Sequence, residues 1–321
     1  MIEQIAIPQS NVAIASSLGR QASDYASHSK SANTVRSYRS DWKHFENWCG
    51  QSELNPLPAL PSTVGLYLTA HAELHTISTL RRRLTTIQEA HRAAGWKIVF
   101  LSDPMLSAIW KGIKRSKGVA QHGKQALLTG DIRLILSNSL GTETETRDRA
   151  LILLGFAGAF RRSELVSLNI EDLRFTSNGV EILVKRSKTD QLGEGVLKAI
   201  PLGSAPELSP VRALEAWIAL LGRQAGPLFV SIAKGGRIAE QRLSDRSVAL
   251  IIKKRLLSAG LDPADFSGHS LRSGFATQAA LNGASDRSIM NQTGHRSRQM
   301  VDRYVRRVSV WQDNAVTRLG L

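Results

Sequence analysis

The sequence predicts a mainly helical chain in two domains, with one small antiparallel sheet in the second. Three observations carry this. Apolar residues recur at steps of three and four along most of the chain, as one buried face of a helix requires. Only 179–184 and 196–201 read as strands, two short runs on either side of a polar turn. The 321 residues exceed one ordinary domain of ~150, and a break falls at K-G-V-A-Q-H-G-K-Q (117–125), which has two glycines, basic ends and no apolar period.

Residues 1–30 are polar, lack a sustained period and read as an arm. Asn33 or Thr34 can cap a first helix whose face carries Val35, Tyr38, Trp42, Phe45 and Trp48, with Cys49-Gly50 at its end. These aromatics read as core packing rather than as platforms for bases. Pro56, Pro58 and Pro61 make a connection, and Ser62 opens a second helix. A third helix runs from about Thr76 to Ala94, and a fourth from Asp103 to about Arg115. Residues 31–116 thus form a helical domain, 117–126 a linker and 127–321 the second domain. There, Thr129 precedes a helix through Ile132, Leu136 and Leu140, and a buried helix follows from about Thr146 to Ala159. Beyond the two strands, helices return from Ser209 to the end. Val308, Trp311, Ala315 and Leu319 give the C-terminal tail an apolar helical face.

Composition narrows the partner. Hydrophobic residues at 42% and charged residues at 21% suit a globular protein. Lys+Arg 42 against Asp+Glu 27 leaves a net charge of +15, which points to a polyanion, nucleic acid before an anionic membrane. The charge is locally lopsided: between Ile77 and Gly118 nine basic residues face only Glu89 and Asp103. Arg81, Arg82, Arg83, Lys111, Lys114, Arg115 and Lys117 are the candidates for tracking phosphates. The single cysteine, Cys49, allows no intramolecular disulfide and no zinc site of several cysteines, so a reducing compartment is expected. The first 20 residues lack a leader pattern, and the longest apolar stretch, Leu151 to Phe160, has half the ~20 residues a membrane span needs. A cytoplasmic protein without a membrane partner is expected.

Familiar catalytic patterns are missing. There is no G-x-x-x-x-G-K-[ST] loop, no H-E-x-x-H and no G-x-S-x-G, and the carboxylates are scattered. Neither a cofactor nor a metal is expected. What remains is cationic and hydrogen-bonding: Arg161-Arg162-Ser163-Glu164-Leu165, the basic run 185–189, His269-x-x-Arg272, and Gly294-His295 followed nine residues later by Tyr304. Each alone has a bland reading, such as a surface ion pair worth ~0–1 kcal/mol.

Their order is specific. F-R-R-S-E-L, H-S-L-R-S-G-F-A, and T-G-H with Tyr304 resemble the two arginine boxes and the third box of the tyrosine recombinases, or phage integrase family. N-T-V-R-S-Y-R-S-D-W resembles that family's helical core-binding domain, so the likeness spans about residues 30–310. Two departures stand out: Ala159-Phe160 where the family often has Gly-Leu, and Ser273 where it often has a second histidine.

The resemblance implies a SAM-like helical core-binding domain followed by a mixed α+β catalytic domain. It implies Tyr304 as nucleophile, Arg161, Lys188, His269, Arg272 and His295 as catalytic partners, and Glu164 in support. Lys188 is chosen over Lys185 because R-S-K-T fits the hairpin tip. The implied activity is site-specific recombination through a 3′-phosphotyrosyl link, without ATP or metal, in integration, excision or resolution of a mobile element. The implied partner is double-stranded DNA with paired inverted sites, on the prokaryotic nucleoid, bound by a monomer that assembles into a tetramer. The tail would dock on its own domain or on a neighbour. Alternatives are a type IB topoisomerase-like nicking-closing enzyme and a catalytically silent DNA-binding regulator.

Overall fold

The structure is a computed structural model that describes residues 25, 30–118, 124–137, 141–185, 194–302, 304, 316 and 319. The chain divides into two units, Met1–Gln121 and His122–Leu321.

The first unit holds four helices: α1 (Ala32–Gln51), α2 (Pro61–Ala70), α3 (Ile77–Ala93) and α4 (Pro104–Lys117). Their starts follow local chemistry. Ser31, Thr76 and Asp103 each accept a hydrogen bond from a backbone N–H in the first turn. Proline, which has no N–H to leave orphaned, opens α2 and α4. The cap of α1 is Ser31, just ahead of the expected Asn33. Helix α1 packs on α3 and α2 on α4, burying Phe45, Tyr67, Leu80, Ile87, Phe100 and Trp110. Each such side chain contributes roughly 1.5–3 kcal/mol. The aromatic stripe is core, as expected, but its central line is Asp41–Phe45–Cys49, and Val35 is exposed. A buried aspartate needs cations, and α3 supplies them.

The second unit begins with α5 (Thr129–Ser137), α6 (Glu143–Ala157) and a short α7 (Arg162–Ser167). Helix α6 starts three residues before the expected Thr146, because Thr142 and Glu145 form a reciprocal capping box. Strands β1 (Leu173–Thr176), β2 (Gly179–Val184) and β3 (Val196–Pro201) make an antiparallel sheet in that order. The two expected strands hold, and β1 extends the pair. Helix α8 (Pro210–Leu221) follows, then β4 (Val230–Ile232) and β5 (Ile238–Arg242), then α9 (Asp245–Ser258), α10 (Ser270–Leu281) and α11 (Asp286–Thr293). The β4–β5 pair adds a second small sheet to the one expected and interrupts the run of helices expected from Ser209. Both strands are too short, and their pairing too irregular, to show a period.

Helix α6 is central. Leu151, Ile152 and Leu154 are wholly buried, with α8 and α10 packed on the helix. Gly155 has Leu271 and Leu165 where a side chain would stand. Gly274 of α10 passes so near the Leu127 carbonyl that an added Cβ would lie 1.9 Å from its oxygen. No helix among the described residues is long and apolar enough to cross a membrane.

The turn after α6 sets up the site. Gly158 caps the helix, and Ala159 takes a left-handed φ of 47°. Phe160 then turns into the core, 3% exposed, and Arg161 leads into α7. A Cβ in that region costs about 1–2 kcal/mol. Ala159→Gly, the residue the family often carries there, is expected to raise unfolding free energy by about 1 kcal/mol after glycine's extra chain entropy. Urea denaturation of both proteins measures it, and a loss of stability would contradict the strain.

Candidate active site

Arg161 is the N-cap of α7. Its backbone N–H donates to Glu164 Oε2 at 2.9 Å and its guanidinium to Glu164 Oε1 at 2.5 Å. One carboxylate thus caps the helix and aims the arginine. Arg272 lies in the first turn of α10 and is 1% exposed. Its Nη1 donates to the Ala159 carbonyl at 2.6 Å, which ties α10 to the strained turn. Its Nη2 is buried with no hydrogen-bond partner. A charged donor without a partner is costly in a protein interior, and a phosphate oxygen has the charge and size to satisfy it.

His269 stands just ahead of α10, and its Nε2 lies 3.1 Å from the Tyr304 hydroxyl. Tyr304 is in helical backbone, with residues 298–302. The His295 ring stacks on the Tyr304 ring, centroids 5.9 Å apart and planes 17° apart. Gly294 closes α11 in the left-handed region and swings His295 inward, where it is 7% exposed. Thr293 Oγ1 donates to the Ile289 carbonyl at 2.7 Å, so it accepts from His295 Nδ1 at 2.9 Å. The neutral ring then carries its proton on Nδ1. His295 Nε2 becomes a donor only once the ring is protonated.

The electrostatics share one cause. Burial, then the neighbouring Arg161, push Arg272 down to about 10. Burial, then Arg272, Arg161, His269 and Lys198, push His295 down to about 4. His269 has an exposed edge, but the protein packed behind it, with Arg272, Arg161 and Arg162, also holds its pKa below the ordinary value. Glu164, 4% exposed, acts in the opposite direction on Arg272 and Lys198. Three cations facing one carboxylate leave a surplus of two positive charges, suited to an anion whose charge grows during reaction.

The model of the phage integrase family matches residues 126–309. The chain belongs to that family, the tyrosine recombinases. A protein described as an integrase/recombinase xerD homolog, from Selenomonas ruminantium, is 43% identical over 295 residues, covering 91% of this chain and 86% of that protein. Recombinase cre of Escherichia phage P1 is 26% identical over 279 residues, covering 81% and 79%. Among solved structures, the XerH site-specific recombinase bound to its palindromic difH substrate aligns with a TM-score of 0.60 at 16% identity, covering 80% of this chain and 71% of that one. A lambda integrase tetramer bound to a Holliday junction aligns at 0.59 and 19% identity, covering 91% and 76%. At those identities the structural likeness speaks for the fold.

Of the residues expected from sequence, Arg161 and Glu164 are joined by hydrogen bonds, His269 and His295 both meet Tyr304, and Arg272 acts electrostatically on both groups. Lys188 falls outside the described residues, as do Val308, Trp311 and Ala315 of the tail. Lys185 is committed elsewhere, to Asp172 at 2.5 Å. Ser273, at the second-histidine position, bonds back to the carbonyls of His269 and Ser270. Sequence reading missed Lys198. The signal was there: strand period two puts it in phase with the buried Ile200.

In the first unit the basic row splits. Arg81, Lys111 and Arg115 are exposed, Lys114 lies over the Trp110 ring, and Lys117 pairs with Glu73 at 3.7 Å. Arg82 is paired to Asp41 but keeps 43% of its side chain exposed. Arg83 departs from the expected surface: it is 8% exposed, with Nη1 donating to the Tyr67 hydroxyl at 3.1 Å and Nε 3.8 Å from Asp41. Its charge balances the buried Asp41.

His295 has a consequence for stability. Below pH 6.5 the unfolded ring takes up a proton that the folded ring refuses until about 4. The unfolded state then binds more protons, so this contribution weakens as pH falls from 6.5 towards 4, by up to about 3 kcal/mol. In urea denaturation at pH 7 and pH 4.5, His295→Phe is expected to lose less stability than the wild type. Equal losses would mean that the ring is not held neutral.

Proposed function

We propose that this recombinase cuts and rejoins DNA through a 3′-phosphotyrosyl intermediate without ATP, and serves the integration, excision or resolution of a mobile element. The carrying observation is the Tyr304 hydroxyl at 3.1 Å from His269 Nε2, beside a buried arginine with an unbonded nitrogen. Tyrosine ionises near pH 10, so attack at neutral pH needs a base. A neutral His269 offers Nε2 for the proton.

In the proposed reaction Tyr304 Oη attacks the scissile phosphorus and gives its proton to His269. The P–O5′ bond breaks, and the 5′-oxygen takes a proton, from Lys188 in this reading. Arg161 and Arg272 hold the non-bridging oxygens as their charge grows. The phosphate raises the pKa of His295, whose protonated Nε2 then donates to it. Attack by a 5′-hydroxyl on the phosphotyrosine reverses every step. The bond energy is kept in the covalent link, so no nucleotide is consumed.

The first unit supports a second part of the reading. Its exposed Arg81, Lys111 and Arg115, with Lys114 and Lys117, track the phosphates of a duplex with inverted sites, and protomers assemble as a tetramer across two duplexes. Relatives caught on DNA and on a four-way junction support this.

Tyr304→Phe is expected to abolish covalent capture of a nicked suicide duplex while leaving DNA affinity within about twofold, because only the hydroxyl is lost. An adduct on another residue, or on 5′ ends, would overturn the assignment. Arg272→Lys keeps charge but loses the planar grip, and a cleavage loss of at least about 10²-fold is expected; full activity would remove Arg272 from the phosphate. Changing Lys111, Lys114 and Arg115 together to Gln is expected to reduce the slope of log affinity against log salt by about 2.7. An unchanged slope would take this helix off the DNA.

A further inference from the structure

Lys198 stands at an inward position of β3. It pairs across the sheet with Ile182, and the next inward residue is Ile200. Strand period calls for an apolar side chain there, yet the ammonium is buried, 6% exposed. Unpaired, it would cost several kcal/mol.

Its partners explain its place. Nζ donates to the Gly158 carbonyl at 2.6 Å and to the Gln292 carbonyl. Gly158 caps α6, and Gln292 lies in the last turn of α11. Both are helix C-termini, where orphan carbonyls and the negative end of the dipole attract a cation. Gln292 adds a second tie, from Nε2 to the Ala157 carbonyl at 2.9 Å. The ammonium also lies 4.8 Å from the Phe160 ring centroid.

Each tied end carries reacting groups. After Gly158 come Ala159, whose carbonyl holds Arg272, and then Arg161. After Gln292 come Thr293 and His295, bonded to each other. The two ends belong to helices that are separate in sequence, so their relative position must come from side chains that reach across. Burial pushes Lys198 down to about 8, with Glu164, Arg272 and Arg161 all acting on it, which sets it within the same field as the phosphate grip.

We propose that Lys198, seconded by Gln292, is a positioning residue for DNA cleavage: it clasps the ends of α6 and α11 and so holds the Arg161–Arg272 grip in register with His295. The clasp rests on the phosphotyrosyl reading above. Its Nζ is engaged by two carbonyls, so it orients the reacting groups without itself supplying the proton to the 5′-oxygen.

The test uses the full chain and duplexes recovered from a random-sequence library by covalent capture on the wild type. Single-turnover cleavage at saturating protein, duplex affinity and melting temperature are measured for Lys198→Met and Gln292→Leu. A misplacement of about 1 Å costs on the order of 10²-fold in rate. Lys198→Met is therefore expected to cleave about 10²-fold more slowly, with affinity within about twofold. The same loss is expected on a duplex whose scissile 5′-oxygen is replaced by sulfur, a leaving group that needs no proton. A wild-type rate in the folded variant overturns the proposal. Recovery on the sulfur duplex overturns it too, because Lys198 would then be the proton donor. If Lys198→Met does not fold, Gln292→Leu decides: a rate at least about tenfold lower at unchanged affinity supports the clasp, and an unchanged rate overturns it. Failure of the wild type to capture any duplex overturns the phosphotyrosyl reading, and the clasp with it.

Discussion

The site depends on a guanidinium held where water cannot stabilise it. Arg272 is buried, bonded through Nη1 to a single backbone carbonyl, and left with an unbonded Nη2. Desolvation opposes its charge, and Arg161 nearby opposes it further. What keeps it there is the Ala159 carbonyl, the Glu164 carboxylate and the packing of α10 on α6. The carbonyl faces Arg272 from a residue in the left-handed region, so backbone strain in the turn after α6 and an unsatisfied charge in α10 are two sides of one arrangement. Both cost stability, and an anion bonded to Arg272 Nη2 would offset part of that cost.

The two histidines take their state first from burial and then from that same charge. Neither has a carboxylate at hydrogen-bonding distance among the contacts described. His295 bonds to Thr293, and His269 faces Tyr304. Burial, with arginines close by, biases both rings towards the neutral form. That suits His269 to accept a proton and leaves His295 ready to gain one when a negative ligand offsets the cations. A single cluster of positive charge can therefore bind an anion and set the protonation of its neighbours.

The first unit handles its charge differently. Asp41 sits in the core line of α1, and α3 answers it with Arg82 and Arg83. Arg83 also reaches the hydroxyl of Tyr67, whose burial pushes it up to about 12. Three consecutive arginines thus divide: Arg81 is exposed, Arg82 is shared between Asp41 and solvent, and Arg83 is internal. Charge density along a helix told where the basic surface lies, but helical rotation of about 100° per residue decided which of the three faces inward.

The sequence by itself determined a good deal. Helical period, capping residues and the short strands set most elements to within a few residues, because those signals are local. The ordered boxes around Arg161, Arg272, His295 and Tyr304 pointed to the site proposed above, because the chemistry proposed for it calls for those residue types whatever surrounds them. Tertiary structure alone decided the rest. Strand β1 and the β4–β5 pair form hairpins with partners a few residues away, but runs this short carry little period of their own, and only their packing on the core fixes them as strands. Arg83 turned inward because Asp41, 42 residues earlier, required a counter-charge. Lys198 joined the site because two helix ends with no sequence relation present their carbonyls at the same point in space. Burial, pairing and the sharing of one electric field are properties of neighbours in three dimensions, and they emerge only when the helices pack.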